Sequence, residues 1–267
     1  MGRISILCLG VYFLLVFSPC HSSEVRGFTY FLSGRDGAGH TLFDRFELYP
    51  NGKTAWQIAS KGGPCPGEGG FYQGTLNPES AKKILELVHA LYQSEKNSKN
   101  APALDSEGDS ARHARHLLQV EYDTAVSSFE LKGAFANSQA FFQELAFVKA
   151  KLSPQRAVRM SVRNEKKGLL VSFLNIGHDP VRLLLPKNPE EVFFLNNAEK
   201  LSYQKPPPKR DLTLSSGKTI DFTLAVAGKI QGPLFYDSGV MAHHAQIKLK
   251  KDLPPMMELF LCAGESL

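Results

Sequence analysis

The sequence is poor in the residues on which most recognisable chemistry depends. It holds four cysteines, one tryptophan and five methionines in 267 residues. There is no Cys-x-x-Cys, which removes the usual dithiol redox centre. Neither Gly-x-Ser-x-Gly nor His-Glu-x-x-His occurs, so no serine-hydrolase elbow or zinc-protease helix is announced. Beyond the first 22 residues no apolar run approaches the roughly 20 residues that span a bilayer. Lysines and arginines (31) are interspersed with acids (26) and form no stripe alternating with aromatics. The runs Lys248-Leu249-Lys250-Lys251 and Lys205–Arg210 are short and read as solvated faces, so the basic balance (formal charge +5) gives no support to nucleic-acid binding.

What is present begins with an export signal. Arg3 is the charged start, Ile4 to Phe17 an apolar core, and Pro19 ends any helix before the small residues up to Ser22. That is the pattern of a secretory signal peptide over residues 1–22, with cleavage expected after Ser22. Lipid anchoring through Cys20 is the rival, and Pro19 directly before the cysteine fits it poorly. The expected mature chain is exported, periplasmic or secreted, and without a membrane span. Only Cys65 and Cys262 then remain, in a compartment where paired thiols oxidise.

Residues 25–153 read as one unit. Phe28–Leu32 and Leu42–Tyr49 are strands, the second with Leu42, Phe46 and Leu48 on one face and Arg45 and Glu47 on the other. Asn51-Gly52 signals a type I′ hairpin into Thr54–Ile58. A further strand, Phe71–Leu76, precedes Asn77-Pro78-Glu79, which starts a helix by N-cap, first-turn proline and first-turn acid. Ile84, Leu85, Val88, Leu91 and Tyr92 make its apolar stripe. Residues 94–114 have almost no apolar content and no period, and read as a mobile polar loop. His116–Tyr122 and Phe129–Leu131 are strands, and Asn137–Leu152 is a second amphipathic helix. This order predicts an α+β domain, an antiparallel sheet with two helices on one face.

Ser153-Pro154-Gln155 marks the expected boundary. Residues 157–267 show seven or eight short β-rich runs separated by turn residues, the pattern of an all-β sandwich. Leu170-Val-Ser-Phe-Leu-Asn-Ile-Gly-His-Asp-Pro-Val-Arg-Leu183, followed by Leu212-Thr-Leu-Ser-Ser-Gly-Lys-Thr-Ile-Asp-Phe-Thr-Leu224, resembles the Ig-like accessory domains of exported bacterial proteins, of which proteinase-inhibitor-like sandwiches are one branch. The first half, with FELYPNGKTAW, FYQGTL and a proline-started helix, is similar in layout to an uncharacterised exported bacterial α+β domain. These resemblances imply fold, not activity, and carry no functional residues.

The densest local feature is GGPCPGEGG, residues 62–70. As a phosphate cradle it fails: no Lys-Ser/Thr follows, Pro64 and Pro66 each remove an N–H donor, and a strand follows instead of a helix. As a nucleophile Cys65 lacks a helix N-terminus or a designated base. Two readings of the cysteines stay open. Either Cys65 bonds to Cys262 and joins the two units across nearly 200 residues, or Cys262 is a buried free thiol and Cys65 a separate one. Gly62, Pro64, Pro66 and Glu68 are the candidate contact loop, together with residues 94–114. The eight histidines isolate no metal site: His243 and His244 point to opposite faces of a strand, His113 and His116 lack a third ligand, and His89 is a packing residue. No catalytic, cofactor or metal residue is assigned. The chain reads as a non-catalytic binding or accessory protein of the cell envelope, contacting protein or envelope polymer. A secreted proteinase inhibitor, using the HDP turn (178–180) or KPPPKR (205–210), and a hydrolase assembled across both halves are the alternatives.

Overall fold

The structure is a computed structural model; it describes residues 24–35, 41–61, 65, 67–97, 115–123, 125–131, 136–166, 168–195, 200–205, 207, 211–227, 232–238 and 259–263. The expected signal peptide, residues 98–114, and His113, His243 and His244 lie outside these.

Ten strands form one antiparallel sheet. In chain order they are β1 (Val25–Arg35), β2 (Thr41–Leu48), β3 (Lys53–Lys61), β4 (Glu68–Thr75), β5 (Arg115–Tyr122), β6 (Val126–Glu130), β7 (Ser153–Glu165), β8 (Gly168–Asn175), β11 (Lys200–Tyr203) and β13 (Thr219–Ala227). Their spatial order is β11-β13-β8-β7-β4-β3-β2-β1-β5-β6. Five short strands make two smaller sheets: β10 (Phe193–Leu195), β14 (Leu234–Asp237) and β15 (Phe260–Ala263) in one, β9 (Val181–Leu184) and β12 (Asp211–Leu214) in the other. Only α1 (Pro78–Asn97) and α2 (Ala136–Lys149) are α-helical among the described residues.

The expected fold class, an α+β domain followed by an Ig-like sandwich, is thereby corrected: the chain is mostly β, and its principal sheet runs through both halves. The cause is the ladder between β4 and β7, in which Phe71 pairs with Arg156 and Tyr72 with Pro154. Pro154, read from sequence as a break, sits near the start of β7, where a missing N–H is tolerated, and the register shifts beside it between Phe71 and Tyr72.

The two cores occupy opposite faces of this one sheet, as side-chain alternation requires. Phe28, Tyr30, Phe46, Trp56, Tyr72 and Ala157 share a core with Ile84, Val88 and Leu91 of α1 and Phe141, Leu145 and Val148 of α2. Val158, Met160, Val171, Phe173 and Phe222 share the other with Phe193, Tyr236 and Leu261 of the small sheets. Tyr72 and Phe71, adjacent in β4, serve different cores. Burying Ile84, Val88 and Leu91, all at 0 % exposure, contributes roughly 5 to 9 kcal/mol to docking α1. The start of α1 is capped as its sequence implies, with Ser80 N donating to Asn77 Oδ1 at 2.8 Å. Its end differs: residues 94–97, assigned from sequence to the polar loop, continue the helix.

The hairpin at Asn51-Gly52 forms, with another turn than expected. Gly52 N donates to the Tyr49 carbonyl and Tyr49 N to the Lys53 carbonyl, both at 2.9 Å. Gly52 alone has positive φ (77°) and Asn51 does not. This is a three-residue loop with the glycine in the left-handed position. Pro50, held near φ −65°, occupies a position that suits a type I turn from Tyr49.

Candidate functional site

Cys65, from the glycine-rich stretch, lies against the small cluster of Ala59, Phe235, Phe260 and Cys262. Cys65 and Cys262 are joined by a disulfide with Cα atoms 4.9 Å apart and 197 positions apart in sequence. Cys262, on β15, is 1 % exposed. It packs with Ala59, Phe235 and Phe260, against which Phe43, Phe194 and Cys65 also lie. The bond thus ties the β3–β4 connection to the last described strand. Gly62, Pro64 and Pro66 are outside the described residues. Glu68 is the one member of the proposed contact loop that is placed, and its carboxylate accepts from Arg159 Nε at 2.7 Å across the β4–β7 ladder. The glycines that follow have a packing reason. Gly70 adopts φ +143°, and a Cβ there would overlap the Arg156 carbonyl; at Gly69 it would overlap the Ala59 carbonyl.

A polar cluster unassigned by the sequence reading lies under α2. Lys149 Nζ meets Asp44 Oδ2 at 2.5 Å, with the two side chains only 11 % and 15 % exposed. Trp56 Nε1 donates to Asp44 Oδ1 at 2.9 Å. The ammonium also lies 5.1 Å from the Tyr30 ring centroid and 5.2 Å from that of Trp56. Burial pushes the Lys149 ammonium below its ordinary pKa, while Asp44 pulls it back up. A signal existed: Asp44 has the same parity as Leu42, Phe46 and Leu48, so it stands on the inward face of β2, where a carboxylate needs a partner.

His116 extends the cluster, its Nδ1 2.9 Å from the Tyr30 hydroxyl and its ring edge-on to Phe142. Burial lowers its pKa below the ordinary 6.5, opposed by the Asp44 and Glu130 carboxylates. Lys149, the cation of the cluster, is bound to Asp44. The unfolded chain therefore takes up the proton first as pH falls. The stabilisation from neutral His116 is complete above 6.5 and is lost as pH drops toward the folded-state value. Denaturation midpoints should fall between about pH 7 and pH 5, and His116→Gln should flatten that slope; equal slopes in both proteins would contradict the assignment.

The third feature is an open sheet face. On the side opposite the helices, the small sheets cover the half built on β7, β8 and β13, and β15 reaches across to β3 and β4. Past that overlap, outward side chains of β5, β1, β2 and β3 stand without a layer formed by any described element, and Phe71 of β4, half-buried and packed against the second core, stands at the border. Phe31, Arg45, Gln57, Phe71 and Arg156 are successive register partners, one transverse row over five strands. Gln119, Thr29, Glu47 and Ala55 form the adjacent row. Arg45 pairs with Glu47, which also accepts from the Tyr49 hydroxyl. Arg156 lies over Phe71, its guanidinium carbon 5.1 Å from the ring centroid. A concavity of about 210 Å³ is lined by Arg45, Glu47, Ala55, Gln57 and Phe71. A second, of about 140 Å³, shares Glu47 and continues along Thr29, Tyr49, Gln119 and Glu121. Two wider grooves, about 640 and 520 Å³, flank α1, but their charged groups do not converge; Lys83 and Glu144 bind each other.

No family model matches the chain, and no curated protein matches it. Among the described residues no three His, Cys, Asp or Glu side chains gather as a metal-binding group, and no described helix is long and apolar enough to cross a membrane. His116 stands on strand β5, as its alternating sequence implies. His89, half-buried on α1, lies 3.4 Å from Gln93 Nε2.

Proposed function

We propose that this is an exported, non-catalytic binding or accessory protein of the cell envelope, and that its contact surface is the open sheet face. The observation that carries the reading is that face itself: two adjacent rows of polar and aromatic side chains, ordered by β-sheet register. Surfaces of this kind bind with little loss of conformational freedom, because the backbone beneath them is already fixed. The disulfide supports an oxidising compartment, and the apolar start of the chain, ahead of the described residues, supports export. Of the contact loop expected from sequence, Glu68 is described, and it pairs with Arg159 on β7. Immobilised oxidised protein should retain a specific component from envelope extract that an unrelated exported β-protein of matched charge does not. Recovery of the same background by both would contradict the proposal.

Proteinase inhibition is a second reading, favoured by one feature. His178, Asp179 and Pro180 are exposed, yet the turn that carries them is braced from below. Asn175, 0 % exposed, donates through Nδ2 to the carbonyls of Asp179 (2.9 Å) and Leu214 (2.8 Å) and accepts from Gly177 N (2.9 Å). Asp179 N is held by the Gln155 carbonyl at 2.7 Å. An exposed, rigid turn is what an inhibitor needs. The test uses the full chain, since β7 is shared by both halves: failure to slow any member of a panel of serine and cysteine proteases would dispose of it.

A further inference from the structure

We infer that the open sheet face binds an acidic polysaccharide, and that Arg156 holds one of its carboxylates. The inference rests on the binding reading above and names its ligand class. Arg156 is half-buried and makes no ion pair among the described residues, and its guanidinium lies over the Phe71 ring. A guanidinium without a carboxylate partner presents a rigid fork of N–H donors that matches the two oxygens of a carboxylate. Arg45, three ladders away and so about 14 Å distant at ordinary strand spacing, is half-exposed and bound to Glu47.

The two concavities run in line through Glu47 across β5, β1, β2, β3 and β4. An elongated ligand crossing the strands fits this track, and a compact one fills only part of it. The mixed signs choose the kind of polymer. Sugar hydroxyls both donate and accept, so Glu47, Gln57, Tyr49 and Gln119 can each serve them. A polyacidic peptide offers few donors to Glu47 and Glu121, whereas the hydroxyls of a sugar polymer supply them. The carboxylates of a uronic-acid polymer meet the arginines, and its hydroxyls meet the rest.

The test is calorimetric titration of the full oxidised chain with polygalacturonate, alongside dextran and poly-L-glutamate. Polygalacturonate should bind, more weakly as salt rises, and both controls should bind far less. Arg156→Ala should weaken it at least about tenfold, as expected for loss of a charge-assisted pair, with Arg156→Lys between the two. Arg45→Ala should also weaken it, which keeps the test decisive if one variant misfolds; unchanged Trp56 fluorescence reports an intact first core. No binding of polygalacturonate, equal binding of poly-L-glutamate, or indifference to both arginine substitutions would overturn the inference. If a specific envelope component is still captured in that case, the binding reading stands and only its ligand class falls.

Discussion

Reducing the Cys65–Cys262 disulfide, or replacing both cysteines with serine, should lower the unfolding free energy by about 3–5 kcal/mol and the thermal midpoint by roughly 10 °C. The size follows from the 197 positions that the bond spans. Opening so long a loop returns conformational freedom to the unfolded chain, with a chain-entropy ceiling near 5 kcal/mol. Its position adds a second effect. Cys262 sits among Ala59, Phe235 and Phe260, at the place where β15 crosses onto β3 and β4. Without the bond, β15 is held there by packing alone, and that edge of the small sheet should open more readily. Differential scanning calorimetry with and without reductant measures the shift; a change within about 1 kcal/mol would mean that the edge is held by packing and that the bond adds little.

The second large effect concerns Lys149 and Asp44. Lys149→Met should cost about 3–5 kcal/mol, because it leaves the Asp44 carboxylate nearly buried with, among the described residues, the Trp56 N–H as its remaining hydrogen-bond partner. The double substitution Asp44→Asn with Lys149→Met should recover most of that loss. Asparagine still accepts from Trp56, and no uncompensated charge remains. Denaturant unfolding followed by fluorescence is well suited here, since Trp56 is the only tryptophan and touches both partners. A double variant as unstable as Lys149→Met alone would show that the loss comes from packing of the lysine stem and not from the orphaned carboxylate.

Local features of this fold were legible in the sequence, and long-range ones were not. The first-half strands, both helices and the capped start of α1 are written in alternation, helical spacing and Asn77-Pro78. The pairing of β4 with β7 is not, because edge-to-edge selection over some 80 residues depends on which backbone edges remain open after the hairpins form. Pro154 reinforced the misreading, as it resembles a linker residue. The short strands Lys200–Tyr203 and Leu234–Asp237 also went unread: four residues hold too little alternation to stand above their flanks. Asp44 was readable by parity alone. The open face was half readable: Arg45 and Glu47 were placed outward on β2, but Gln57, Phe71 and Arg156 join them only through register.

The claim that the sheet face is the contact surface is tested most directly by hydroxyl-radical footprinting of the protein alone and with its captured envelope component. Tyr49 and Phe71 on the face, and Phe147 (53 % exposed) on α2, are all aromatic and so report in the same chemistry. Tyr49 and Phe71 should lose labelling while Phe147 keeps it. Protection of Phe147, with Tyr49 and Phe71 unchanged, would place the contact on the helices and contradict it.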